Sequence, residues 1–155
     1  MYGEAIMKKN PDVHRTALKR TEPSAPLRLL LSRNEITGRV LDYGCGHGQD
    51  VEHLSSLGFA AVGYDPHRRS AKPRGRFDTV LCTYVLNVVP ATEGRCILES
   101  LLYYNRGRVF ITTRLDVAET KTQRLVTSIP WAQRYTSGSG FQLWMVESRL
   151  QSWIS

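Results

Sequence analysis

Three glycines alternate with other residues in the stretch "VLDYGCGHGQD", residues 40–50, and they are the clearest chemical signal in the sequence. The stretch begins as an apolar run that ends in Asp42, and it continues into the pattern of a helix. Glycine allows positive φ and lacks the Cβ atom that would hold a ligand away from the backbone. One glycine is normally enough for a tight turn. Gly44, Gly46 and Gly48 therefore predict a loop on which a polar ligand rests, beside the free N–H groups of a helix; a turn without a ligand is the alternative.

A second polar position, Asp65, ends the next apolar segment of the chain. The carboxyl ends of neighbouring strands in a sheet lie about 5 Å apart, so Asp65 is expected close to the glycine loop. A carboxylate at this position can accept hydrogen bonds from both hydroxyls of a ribose. An Asp-Pro turn is the competing interpretation, because Pro66 follows directly. Together the loop and the carboxylate predict a cofactor that contains adenosine.

Other adenosine-binding and metal-binding patterns fit the sequence poorly. Gln49 stands where the dinucleotide fingerprint requires a further glycine, and no glycine-rich loop with the phosphate-binding lysine is present. The three cysteines, Cys45, Cys82 and Cys96, lack C-x-x-C spacing. They predict neither a disulfide framework nor a zinc site, and no metal ligands are assigned.

Three segments resemble the motifs of one enzyme family, the class I S-adenosylmethionine-dependent methyltransferases. "LDYGCGHG" is similar to their D-x-G-x-G-x-G motif, "GYDP" to their ribose-binding acidic position, and "FDTVLCTYVLNVVP" to their fourth-strand segment. The resemblance covers residues 36–113. It implies methyl transfer from S-adenosylmethionine, with S-adenosylhomocysteine as the product.

The resemblance also implies roles for individual residues. Asp42 and the backbone of the first part of the loop would hold the methionine half of the cofactor, Asp65 the ribose, and Thr83 the floor near the sulfonium. Tyr84 and Asn87 are the catalytic candidates that would contact the methyl acceptor. Asn87 stands where many relatives have histidine, and an amide cannot take a proton at neutral pH, so capping of the strand end is its alternative role. The implied cofactor-binding residues are Asp42, Gly44, Cys45, Gly46, Gly48, Asp65 and Thr83.

The elements that must position these residues alternate along the chain. Helices are predicted over 25–34, 49–58, 92–104 and 115–128, strands over 39–44, 59–65, 77–85 and 107–114, and a closing hairpin over 131–148. This order predicts an α/β fold, a Rossmann-like, doubly wound and mostly parallel sheet that ends in an antiparallel hairpin. The 12 residues between Asp65 and Asp78 are too few for two crossovers and a strand. One edge of the sheet is therefore expected to be trimmed, with residues 1–23 as an N-terminal arm and 24–155 as a single domain.

Positive charge is concentrated in two segments, one within residues 1–40 and one at residues 66–76. The net charge is +7, and "PHRRSAKPRGR", residues 66–76, carries five Lys or Arg and no acid. Such segments can contact the phosphates of a nucleic acid, can serve as solvated loops, or, in the arm, can cover the cofactor and pair with its carboxylate. The candidate nucleic-acid contacts are Lys8, Lys9, Arg15, Lys19, Arg20, Arg68, Arg69, Lys72, Arg74 and Arg76.

The acceptor is expected to be DNA or RNA, with a small molecule as an alternative. "TALKRTEPSAPLRLLL" and "YVLNVVP" are also similar to small bacterial methyltransferases associated with DNA phosphorothioation systems. A cofactor-binding sensor or partner subunit without transfer activity is a third possibility, and the oligomeric state is left open.

No apolar run reaches the roughly 20 residues of a membrane span, and the first residues lack the apolar core of a secretory signal. A cytoplasmic protein without membrane contact is therefore expected.

Overall fold

A six-stranded sheet forms the centre of the computed structural model, which describes residues 22–115, 121–127, 132–138 and 140–148. The strands are β1 (Val40–Tyr43), β2 (Ala61–Tyr64), β3 (Phe77–Thr83), β4 (Asn105–Arg114), β5 (Gln133–Gly138) and β6 (Phe141–Glu147). The helices are α1 (Ala25–Ser32), α2 (Gln49–Ser56), α3 (Ala91–Tyr104) and α4 (Lys121–Thr127), with a short 3-10 helix at Val85–Asn87.

The strands follow the order β2-β1-β3-β4-β6-β5. β1 pairs in parallel with β2 and β3, and β3 pairs in parallel with β4, whereas β6 runs antiparallel to both β4 and β5. The predicted sheet with its closing antiparallel hairpin is therefore confirmed. β2 is an edge strand, and residues 66–76 contribute only an isolated bridge between Asp65 and Arg69, so the edge is trimmed as predicted.

Both faces of the sheet are covered. Val80 and Cys82 of β3 belong to the apolar cluster that contains α3, whereas Leu81 between them belongs to the cluster that contains Leu27 and Leu30 of α1. Adjacent residues of a strand point to opposite faces, so a central strand in such a sheet needs apolar residues at consecutive positions. This requirement explains the continuous apolar run of β3.

A buried carboxylate joins the N-termini of α1 and α2. The backbone N–H and the hydroxyl of Ser24 donate to the two oxygens of Asp50, over 2.7 and 2.6 Å. Ser24 is also the N-cap of α1, where its hydroxyl accepts from the N–H of Leu27 at 3.4 Å. Asp50 lies in the first turn of α2, a position at which the helix dipole favours negative charge. This pair therefore holds the start of α1 against the start of α2, directly after the glycine loop.

A second carboxylate, Asp78, joins three strands at their amino ends. Its oxygens accept from the backbone N–H of Arg39 at 2.8 Å and from the Arg106 guanidinium at 2.9 and 3.1 Å. Arg39 directly precedes β1, whereas Asp78 and Arg106 are the second residues of β3 and β4. The hydrogen bonds from Arg106, and next from Arg39, lower the pKa of Asp78 below its ordinary value of 3.8.

Several sequence predictions are refined or fall outside the described residues. The long central helix begins at Ala91 with Pro90 as its N-cap, one residue earlier than predicted. Residues 1–21 of the N-terminal arm and residue 131, the first of the predicted hairpin, lie outside the described residues, and the predicted domain boundary stays a prediction. Within the described ranges, no helix is long and apolar enough to cross a membrane.

Replacing Asp78 by Asn tests whether its interactions with Arg39 and Arg106 stabilise the fold in a pH-dependent way. The pKa of Asp78 is lowered in the folded protein, so its charged interactions stabilise the fold above the unfolded pKa and are lost as pH falls through the folded one. We expect Asp78→Asn to lower the free energy of unfolding at pH 7 and to have a smaller effect at pH 3, measured by urea unfolding. Glu99→Gln, on an exposed position of α3, is the control. An equal loss at both pH values would contradict the role of the charge.

Candidate active site

The residues predicted to bind the cofactor meet at the carboxyl ends of the parallel strands. β1 and β2 end at Tyr43 and Tyr64, and the glycine loop follows β1 directly. The N–H groups of Gly44 and Cys45 both donate to the carbonyl oxygen of Tyr64, over 2.7 and 2.9 Å. The loop therefore lies against the end of β2, where Asp65 begins the next turn.

Side chains of two neighbouring loops fill the space above two of the glycines. Gly44 has φ +86°, and a Cβ built on it would overlap a methyl group of Val85 in the segment after β3. Gly48 has φ +82°, and its Cβ would lie 2.7 Å from Nε of Arg69 and overlap the guanidinium. The sequence suggested that a ligand approaches this backbone closely. In the structure, the positive φ already favours glycine at both positions, and the packing of Val85 adds to this requirement at Gly44.

Four N–H groups of the loop have acceptors within the protein. The N–H of Gly46 donates to Oδ2 of Asp65 at 3.1 Å, and that of Gly48 donates to the carbonyl oxygen of Cys45 at 2.9 Å. With the two bonds to Tyr64, four N–H groups of residues 44–48 are satisfied. A ligand can therefore accept from one of these four N–H groups only if its present hydrogen bond changes partner. The implied roles of the loop residues stay predictions.

Asp65 is buried and accepts three backbone N–H groups. Besides Gly46, the N–H groups of His67 and Arg68 donate to its Oδ1, over 2.9 and 3.1 Å. The Asp-Pro turn considered as an alternative is thus present. A carboxylate offers about four acceptor positions, so one position remains, on Oδ2. Asp65 can accept a hydrogen bond from one ribose hydroxyl and keep its three backbone donors. The predicted hydrogen bonds from both hydroxyls require that one of the three backbone donors is released.

The turn after β2 brings Arg69 onto the glycine loop. The backbone groups of Asp65 and Arg69 pair in both directions, over 3.0 and 2.9 Å, which turns the Arg69 side chain back towards Gly48. Its guanidinium also lies 3.7 Å from Glu52, but this pair is largely exposed and contributes little by itself. The charge pattern placed Arg69 among the predicted nucleic-acid contacts and carries no signal for its position on the loop.

The other basic residues of this segment are exposed to solvent. They are Arg68, Lys72, Arg74 and Arg76. They follow the chain from the end of β2 to the start of β3. The remaining five candidates for nucleic-acid contact, Lys8, Lys9, Arg15, Lys19 and Arg20, lie outside the described residues.

The segment after β3 begins with a strained residue. Thr83 is the last residue of β3 and pairs with Thr112 of β4. Tyr84 has φ 63° and ψ 5°, a left-handed conformation that is uncommon for a tyrosine. Its N–H donates to the carbonyl oxygen of Thr112 at 3.0 Å, and its ring packs against the cluster that contains Leu27. Strained backbone of this kind is concentrated at functional sites.

Asn87 connects this segment to the end of β4. Its Oδ1 accepts from the backbone N–H of Arg114 at 3.0 Å, so the capping role considered as an alternative is present. Its Nδ2 is buried and has no hydrogen-bond partner among the described residues. Because Val85 also touches Gly44, the segment 84–88 is connected to the glycine loop on one side and to β4 on the other.

Cys45 is a poor nucleophile in this environment. Burial raises the pKa of its thiol to about 12, and the negative charges of Asp42 and Asp65 add to the rise. The pKa of Cys82 is raised as well, first by burial and then by Asp42. A thiolate is the reactive form of cysteine, so neither residue suits covalent catalysis. In the ranges that the structure describes, no group of three or more His, Cys, Asp or Glu could hold a metal ion.

Comparison with solved structures shows the same fold in several proteins. Magnesium protoporphyrin IX methyltransferase from Synechocystis PCC 6803 with bound S-adenosylmethionine has a TM-score of 0.55 and 17% identity, over 79% of this chain and 76% of that one. A structure solved for the conversion of a disulfide bond into a thioacetal group during echinomycin biosynthesis has a TM-score of 0.59 and 18% identity, over 85% and 86%. A hypothetical protein of Thermus thermophilus has a TM-score of 0.56 and 18% identity, over 83% and 88%.

A family model and a search of curated proteins complete the comparison. No curated protein matches the chain. The family model described as "Methyltransferase domain" matches residues 14–150, which include the glycine loop, Asp65 and the segment after β3. The chain is therefore a member of the methyltransferase domain family, and it has the fold that its resemblance to the class I enzymes implied.

Proposed function

We propose that this protein transfers a methyl group from S-adenosylmethionine to a nucleic acid. The observation that carries the cofactor assignment is the spare acceptor position on Asp65, held against the glycine loop by the bond from Gly46. The magnesium protoporphyrin IX methyltransferase of the same fold was crystallised with S-adenosylmethionine and with S-adenosylhomocysteine, which supports the same cofactor for this family member.

The residues around the loop fit the parts of this cofactor. Asp65 suits a ribose hydroxyl through Oδ2. Asp42 is buried at the end of β1, and it lies close enough to Cys45 to raise the pKa of the thiol. Its negative charge therefore suits the ammonium of the methionine half, with carbonyl oxygens of the loop beside it. We assign the floor below the sulfonium to Thr83.

S-Adenosylmethionine supplies a methyl group on a positively charged sulfur, ready for displacement by a nucleophile. The protein then has to align the nucleophile and exclude water. Tyr84 and Asn87, in the segment after β3, are assigned to the acceptor side. The Asn87 amide is held by the N–H of Arg114 and cannot accept a proton, so it positions the acceptor and does not act as a base. The proposed acceptor atom is one that reacts before its proton is removed.

The basic segment supports a nucleic-acid acceptor. Arg68, Lys72, Arg74 and Arg76 are exposed along one connection that starts at Asp65, and residues 66–76 of that connection carry no acid. Positive charges at the rim of a cleft attract the phosphate backbone and make binding salt-dependent. The similarity of two segments to methyltransferases associated with DNA phosphorothioation favours DNA over RNA.

A small-molecule acceptor is the second candidate. Leu115, directly after the end of β4, is 49% exposed, and Val88 is partly buried against the core. These apolar side chains flank the Asn87–Arg114 contact and would suit an apolar acceptor. The name of the porphyrin methyltransferase of similar fold points in the same direction.

Transfer of labelled methyl groups to DNA, RNA and a metabolite extract distinguishes these possibilities. We expect product on DNA, and DNA binding that weakens as salt increases. Product only in the metabolite extract would support the small-molecule enzyme and contradict the nucleic-acid proposal. Intact cofactor binding without any product would support a sensor or partner subunit.

Asp65→Ala tests the ribose contact. Hydrogen bonds to a charged group contribute about 1.5–3 kcal/mol, so we expect the affinity for S-adenosylhomocysteine to fall by roughly 10- to 100-fold, measured by calorimetry. Asp65→Asn keeps one oxygen for the N–H groups of the turn and separates loss of the turn from loss of the ribose contact. Glu99→Ala serves as the control for charge. Unchanged affinity in both Asp65 variants would refute the assignment.

The raised pKa of Cys45 predicts that methyl transfer does not depend on this thiol. At pH 8, we expect iodoacetamide to modify the exposed Cys96 and to leave Cys45 largely unmodified, because the pKa of Cys45 is about 12. Peptide mass spectrometry measures both sites in one sample. Cys45→Ser should retain transfer activity, and loss of activity at unchanged cofactor affinity would show that the thiol takes part.

A further inference from the structure

Arg69 occupies a position that the proposed chemistry does not explain and that its largely exposed pair with Glu52, at 3.7 Å, explains only weakly. Its side chain covers Gly48 so closely that a Cβ on the glycine would lie 2.7 Å from Nε. Gly48 is the N-cap of α2 and the last residue of the glycine loop. An arginine on a solvated loop would not need this contact, and Arg68, Lys72 and Arg74 of the same segment are exposed in the way that such a loop implies.

The contact of Arg69 with Gly48 and a hydrogen bond together hold the turn after β2 on the glycine loop. The hydrogen bond runs from the N–H of Gly46 to Oδ2 of Asp65, at 3.1 Å. That oxygen also carries the remaining acceptor position of Asp65, so a ribose would compete with Gly46 if both of its hydroxyls were bound. When the Gly46 bond is released, the Arg69 side chain still holds the turn against the loop.

We propose that Arg69 is a positioning residue for cofactor binding, which keeps Asp65 facing the glycine loop while its carboxylate changes hydrogen-bond partners. This inference rests on the proposed function, because it concerns the same cofactor site. The paired backbone groups of Asp65 and Arg69, at 3.0 and 2.9 Å, make the coupling direct. Any displacement of the Arg69 side chain from Gly48 loosens the turn that carries the ribose-binding carboxylate.

Arg69→Ala tests the contact by calorimetric titration with S-adenosylhomocysteine. We expect affinity to fall about tenfold, which corresponds to 1.4 kcal/mol, without a change in the thermal midpoint of the ligand-free protein. Arg69→Lys should restore part of the affinity, because lysine keeps the charge and length but lacks the planar guanidinium. Arg95→Ala, an exposed position on α3, removes the same charge elsewhere and should leave affinity unchanged.

Gly48→Ala provides an independent test through a double-mutant cycle. The added methyl group displaces the guanidinium, so it should weaken cofactor binding in the presence of Arg69. In the Arg69→Ala background we expect a smaller loss, since only the strain of the positive φ remains, and a coupling of roughly three- to tenfold between the two changes. If Arg69→Ala lowers the thermal midpoint of the ligand-free protein, Arg69→Gln replaces Arg69→Ala in the double-mutant cycle.

The outcomes separate this inference from the proposed function. Wild-type protein that binds no S-adenosylhomocysteine would overturn the proposed cofactor itself. Wild-type binding together with unchanged affinity in Arg69→Ala, or with equal losses from Gly48→Ala in both backgrounds, would overturn only the role of Arg69. An equal loss of affinity in Arg95→Ala and Arg69→Ala would show that net charge explains the effect. That result would also overturn the role of Arg69.

Discussion

The close approach of two side chains to the glycine loop is the constraint on which the rest of the site depends. Val85 lies against Gly44, and Arg69 lies against Gly48. Each side chain comes from a different loop at the carboxyl edge of the sheet, so the backbone between residues 44 and 48 is the surface on which both loops pack. The proposed cofactor side and acceptor side therefore share one short segment, and the absence of a Cβ atom at Gly44 serves protein packing.

Carboxylates hold the two ends of the sheet in different ways. At the amino ends, Asp78 is bound to an arginine side chain and a backbone N–H group, and its interactions stabilise the strands. At the carboxyl ends, the described contacts of Asp65 come from backbone N–H groups, which leave an acceptor position on one oxygen. Among the described hydrogen-bond donors to Asp65 there is no cationic side chain, which suits the ligand-binding role proposed for this residue.

The alternation of helices and strands, the trimmed edge and the hairpin could be predicted, because each depends on local apolar patterns and on chain length. The meeting of the glycine loop with Asp65 could also be predicted, since parallel strands place their carboxyl ends together. The position of Arg69 could not, because it depends on a backbone bridge within the turn and not on charge. The hydrogen-bond partner of Asn87 could not be predicted either. It is the backbone N–H of Arg114, which is distant in sequence and is not marked by any sequence motif.

The packing of Val85 against Gly44 has a consequence for how such a protein can change over evolution or in the laboratory. A larger residue at position 85, introduced to reshape the proposed acceptor side, would press on the backbone of Gly44, which we assign to cofactor binding. Conversely, a side chain at position 44 would overlap Val85 and would also carry the strain of a φ of +86°. The two halves of the site therefore cannot be redesigned separately, and altered acceptor preference is expected to arise through paired substitutions.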